Sequence, residues 1–173
     1  KAGLAQSEKI KEIEKKIKNL SEKKGVTLPA KSEVKHSFDK SPSAEINTFD
    51  DFNTNYDYAI SLYNAKKYDD AYSVFKNLLN SKLKKPDLVD NLYFWMGECS
   101  FQKADYRDAI SQFKNVLQIP KANKIEDALW KLGLSNEKLN LIEEAREYLQ
   151  RLIDSFPKSR YINRAKAKLK TLI

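Results

Sequence analysis

Residues 93–117 read YFWMGECSFQKADYRDAISQFKNVL, and this stretch decides the fold. Tyr93, Met96, Gly97 and Ser100 share one helical face, and Tyr106, Ala109, Phe113, Val116 and Leu117 share a second. Between them, Lys103-Ala104-Asp105 leaves room only for a tight turn. The pattern is that of a helical hairpin, with small residues, Gly97 and Ala109, where two backbones must approach. Neither helix can bury both its faces inside one hairpin. A fold built from this unit needs the unit to recur.

It recurs on both sides. Ala59 and Ala71, Gly97 and Ala109, and Gly133 and Ala145 are each twelve residues apart. Three residues before each second small residue stands a large apolar one: Tyr68, Tyr106, Ile142. Four residues after it stands another: Phe75, Phe113, Leu149. Leu78-Leu79, Val116-Leu117 and Leu152-Ile153 follow in step. Ala71, Ala109 and Ala145 are separated by 38 and then 36 residues. Two-helix repeats slightly longer than about 34 residues point to a tetratricopeptide (TPR) array. Three such repeats are about the minimum that can share a continuous core.

The expected fold is therefore all-α: a TPR-like α-solenoid of three helical hairpins plus a C-terminal capping helix. An N-terminal helix and an extended linker precede it. Residues 1–24 form an amphipathic, coiled-coil-like helix, 25–47 a linker, 48–157 the three repeats and 158–173 the cap. The predicted helices of the repeats cover about 50–65 and 68–81, 88–102 and 106–118, then 124–139 and 142–155. Pro120 and Pro157 close the last two repeats. Ser159 is placed to cap a final helix over about 160–172. There Tyr161, Ala165, Leu169 and Leu172 face inward, while Lys158, Arg160, Arg164, Lys166, Lys168 and Lys170 stay wet, as the open end of a solenoid requires.

At the front, Ile10, Ile13, Ile17 and Leu20 follow the 3-4-3 spacing of a coiled-coil seam for about two heptads. That is too short for an independent coil, so the stripe is expected to mediate oligomerisation or to dock on the array. The linker carries Pro29, Pro42, many Lys and Ser and singly spaced apolar residues. The chain begins at Lys1 and shows no signal-peptide core, the expectation for a trimmed or mature piece whose targeting segment has been removed.

A net charge of +8, a pI near 9.3 and 32% charged residues invite a nucleic-acid reading. The cations are interleaved with acids along most of the array, however, and concentrate at residues 1–40 and 158–170, whereas a dedicated binder shows a continuous stripe. An anionic membrane surface suits the charge better, as an accessory partner. The single cysteine, Cys99, rules out an intramolecular disulfide framework. His36, the one histidine, has no clustered ligands, so neither a metal nor another cofactor is expected. One His and one Cys in different segments make no nucleophile–base pair, and no phosphate-cradling glycine loop is present. The acidic pairs Asp69-Asp70 and Glu143-Glu144 stand at helix starts, where they complement the helix dipole. No catalytic residue is expected.

In stacked hairpins the first helix of each pair lines the concave side. The residues beside its packing face are Tyr56, Ile60 and Tyr63, then Phe94, Glu98 and Phe101, then Trp130, Leu134 and Glu137. Each triplet has i, i+4, i+7 spacing, so its side chains project together. The expectation is an aromatic-rich trough, acidic towards its later residues, that takes a peptide or helix of another protein. A carboxylate clamp of the co-chaperone type would need Lys and Asn at positions held here by Tyr56, Ile60, Phe94 and Glu98.

The segments YFWMGECSFQKADYRDAISQFKNVLQIP and ALWKLGLSNEKLNLIEEAREYLQRLIDSFPKS resemble the C-terminal TPR domain of the periplasmic Tol-Pal-associated family. The resemblance covers about residues 53–170. It rests on the aromatic-x-x-Gly-Glu turn from Phe94 to Glu98, Asp105-Tyr106 before Ala109, and Phe156-Pro157-Lys158-Ser159. That family coordinates cell-wall synthesis with outer-membrane constriction in Gram-negative bacteria, and a trimerising coil and linker precede its repeats. The resemblance implies a non-enzymatic periplasmic scaffold that binds other proteins and is anchored, if at all, through a removed N-terminal segment. TPR lipoproteins of outer-membrane protein assembly share much of the pattern. The chain departs from it at Ala59, where glycine is usual, in an expanded loop at Lys82 to Asp87, and in its short coil.

Overall fold

The computed structural model describes residues 51–172. The predicted helix over 1–24, the linker over 25–47 and the stripe Ile10, Ile13, Ile17 and Leu20 lie outside the described residues. Among the described residues seven α-helices follow one another: α1 Phe52–Asn64, α2 Tyr68–Asn80, α3 Val89–Gln102, α4 Tyr106–Leu117, α5 Ile125–Lys138, α6 Ile142–Ser155 and α7 Ile162–Thr171. Each packs on the next, forming three hairpins and a closing helix, the TPR-like array that the repeat pattern predicts.

The small-residue positions set the hairpin register. A Cβ added at Gly97 would lie 2.5 Å from Cε1 of Phe113, and one at Gly133 would lie 2.6 Å from Cδ2 of Leu149. These are the large residues four positions after Ala109 and Ala145, so the glycine and the bulky residue of each period are a matched pair across the hairpin. In the first repeat Ala59 is fully buried and takes the place of glycine.

The turn within each hairpin is a Schellman closure. In the first, Lys67 N–H donates to Leu62 O and Lys66 N–H to Tyr63 O, both at 2.9 Å. Asp105 and Ala104 repeat this on Ser100 and Phe101, and Leu141 and Asn140 repeat it on Asn136 and Glu137. The pivot residues Lys66, Ala104 and Asn140 have φ of 62°, 62° and 58°, a left-handed conformation usually given to glycine. Between repeats, Ile119-Pro120-Lys121-Ala122 closes a turn with φ of 58° at Lys121, as a type II turn requires.

Burial separates an inner from an outer layer. α3 buries Asp90, Leu92, Phe94, Met96, Gly97, Glu98, Cys99 and Ser100, which lie all round the helix, and α5 buries eight residues likewise. By contrast α4 and α6 bury single stripes, Ala109, Gln112, Phe113 and Val116 on one and Ala145, Leu149 and Leu152 on the other. First helices are thus the inside of the array and second helices its outside. α7 closes the end with Ala165 and Leu172 buried and Tyr161 and Leu169 packed beside them. Ser159 does not cap it as expected: its hydroxyl accepts from Tyr161 N–H, one residue ahead of the helix. Arg146 of α6 instead holds the far end, donating to the carbonyls of Leu169 and Leu172.

Candidate functional site

The nine predicted trough residues fall on α1, α3 and α5, on the side where these first helices meet. The structure brings them together, but as junctions between repeats more than as an open surface. Tyr56 accepts a 2.8 Å hydrogen bond from Trp95 Nε1, and the Tyr63 ring sets its edge on Trp95. Phe94 is buried against Phe113, and Trp130 is buried and stacked on Tyr161, with centroids 5.5 Å apart and planes at 11°. Ile60, Tyr63, Phe101, Leu134 and Glu137 are half-buried.

Two features of the expected trough are corrected. Its rings are not open: Tyr56 and Tyr63 pack on Trp95, and cations lie over the other three. Lys124 Nζ stands 5.3 Å from the Phe94 centroid, Lys131 Nζ 4.6 Å from that of Phe101, and the Arg164 guanidinium 4.9 Å from that of Trp130. Each cation comes from the next first helix or its equivalent, about one repeat along the chain. Each such contact contributes about 0.5–2 kcal/mol according to desolvation. Nor is the later stretch of the trough a free acidic surface. Glu137 pairs with Lys168 of α7 at 3.0 Å, and Glu98 is buried in a pair with Lys131 at 2.6 Å.

Glu98 joins all three repeats. Its Oε2 accepts from Tyr63 of α1 and from Lys131 of α5, and Tyr63 in turn accepts from Gln102. Burial, and then the Glu98 charge, push the Tyr63 phenol well above its ordinary pKa, so it stays a neutral donor. A second node sits at the last junction, where Asp127 accepts from Tyr161 and Arg160 with Lys124 alongside. Burial raises the Asp127 pKa, but those hydrogen bonds and charges outweigh it and hold the carboxyl below the usual range. At the middle junction, buried Asp90 accepts from the backbone N–H groups of Asn123 and Lys124 at the start of α5.

The residues missed by sequence reasoning are Trp95, Lys124 and Lys131, with Arg164 assigned only to the wet face of the cap. One signal was present: Lys124, Lys131 and Lys138 are spaced by seven, which returns to the same helical face. Cys99 is fully buried, and burial followed by the Glu98 charge lifts its thiol to about 12, so it packs rather than reacts. Among the described residues, no group of three or more His, Cys, Asp and Glu could hold a metal, and no helix is long and apolar enough to cross a membrane.

Residues 127–159, the third hairpin with its junctions, match the family model described as tetratricopeptide repeat. No match was found among the curated proteins. A tetratricopeptide repeat is typically a non-catalytic module through which one protein binds another.

Proposed function

We propose that this chain is a non-enzymatic scaffold that binds a segment of another protein along the first-helix side of its array. The observation that carries the reading is the contrast between the layers. Second helices turn charged and polar residues to solvent: Asp69, Asp70 and Lys76; Arg107 and Lys114; Glu143, Glu147 and Arg151. First helices of the second and third repeats fully expose only Gln102 and Lys138, and otherwise offer recessed side chains such as Phe101 and Leu134. Recessed, partly apolar positions aligned across repeats suit a polypeptide laid over them. Photo-crosslinking tests the side. A photoreactive residue at Ile60, Phe101 or Leu134 should form adducts with a second polypeptide, and one at Lys76, Lys114 or Arg151 should not. Adducts from the second-helix positions alone would overturn the assignment.

The proposed setting is the bacterial envelope, in its maintenance or in cell division. Residues 93–120 and 128–159 support it by their resemblance to the Tol-Pal-associated family; assembly of outer-membrane proteins is the alternative role. Fractionation of the source cells tests it, and a cytosolic pool alone would contradict it. The heptad stripe Ile10, Ile13, Ile17 and Leu20 supports a further proposal, self-association through residues 1–24. Deleting those residues should then lower the sedimentation mass.

A further inference from the structure

We propose that the partner segment is acidic and lies across the α5–α7 end of the first-helix side, an inference that rests on the partner-binding reading and specifies its chemistry. Lys124, Lys131 and Lys138 recur on one face of α5 and its preceding turn, over about 21 Å of helix. Arg160, Arg164 and Lys168 come from α7 and its approach. Against these six cations stand four carboxylates, Asp90, Glu98, Asp127 and Glu137, each already engaged, which leaves a surplus of two positive charges. Among the described residues, Lys138 and Arg164 pair with no carboxylate.

The form of the site selects a polypeptide over other polyanions. Lys131, Lys124 and Lys168 expose only 19%, 29% and 31% of their side chains, so a flat bilayer reaches only the exposed Lys138, Arg160 and Arg164, whereas a peptide also enters the recess. Single-stranded nucleic acid gains affinity by stacking bases on free rings. Here Phe94, Phe101 and Trp130 already carry a cation on their faces. An extended peptide is thin enough to follow the recess, and about six or seven residues span the α5 cations. Its carboxylates would pair with Lys138 and Arg164 first and would compete with Asp127 and Glu137 for their partners.

Selection from a random dodecapeptide library on the full chain tests the inference. Selected peptides should be enriched in Asp and Glu, and their binding should weaken steeply between low and high salt. The double variant Lys138→Glu, Arg164→Glu should bind a selected peptide roughly tenfold more weakly while its circular dichroism is unchanged. The variant Lys76→Glu, Lys114→Glu on the second helices should bind as the parent does. Neutral or basic peptides that bind and cross-link at Phe101 would overturn the acidic assignment while leaving the partner-binding side intact. Absence of any selected peptide would overturn both. Binding of a single-stranded oligonucleotide or of phosphatidylglycerol vesicles, lost in Lys138→Glu, Arg164→Glu, with no acidic peptide selected, would replace the inference with that polyanion.

Discussion

Gly97 and Phe113 are packed in direct contact across the α3–α4 hairpin. With Phe113 Cε1 only 2.5 Å from where a Cβ would stand, Gly97→Ala must displace a buried ring, and Gly97→Leu must push α3 and α4 apart. We expect Gly97→Leu to destabilise by ~1–3 kcal/mol or more, read as a fall in denaturant midpoint; an unchanged midpoint would contradict the register. The converse holds at Ala104, whose φ of 62° burdens an alanine. Ala104→Gly should stabilise by about 1 kcal/mol, the left-handed cost being partly offset by a more flexible unfolded chain. Asn140 tolerates that conformation better, so Asn140→Gly should gain less. Ser135 is a polar group buried in α5. Its hydroxyl is fully buried with no hydrogen-bond partner, so Ser135→Ala should be neutral or stabilising by up to ~1 kcal/mol.

α7 is the element held most by charge. Asp127 receives Tyr161 and Arg160, Glu137 receives Lys168, and Arg146 covers the last carbonyls. Because the Asp127 pKa is lowered in the folded chain, its contribution is complete above its unfolded value near 3.8 and is lost as pH falls through the lower folded value. Asp127→Asn should therefore destabilise the chain at neutral pH and flatten the acid limb of a stability–pH curve below about pH 4. An acid limb identical to the parent's would remove Asp127 from this role. The helices themselves were largely legible in the sequence. The 3.6-residue period and Pro120 and Pro157 placed every boundary of the seven described helices within about two residues. What periodicity does not report is which neighbour covers a given face. Phe94 and Trp130 read as trough residues because their covers, Lys124 and Arg164, stand 30 and 34 residues away. Ser159 read as a helix cap because spacing cannot distinguish a cap from the turn just before it.

Across the whole molecule, the three hairpins are tied along the inner layer by Trp95 and Glu98. Removing the carboxylate in Glu98→Ala leaves Lys131 largely buried and unpaired, and should cost ~3 kcal/mol. A cost confined to a few tenths would show that the repeats stack without this node. The same layer is the proposed partner side, and its half-buried rings and covered charges make it a surface already ordered before binding, which lowers the conformational cost of association. The most direct measurement is backbone amide chemical-shift mapping of the full chain titrated with a segment that binds it. Shifts are expected along α1, α3 and α5, at Ile60, Phe101, Leu134 and Lys138, with α2, α4 and α6 quiet at Lys76, Lys114 and Arg151. Shifts centred on the second helices, with those four first-helix positions unmoved, would contradict the proposed partner side.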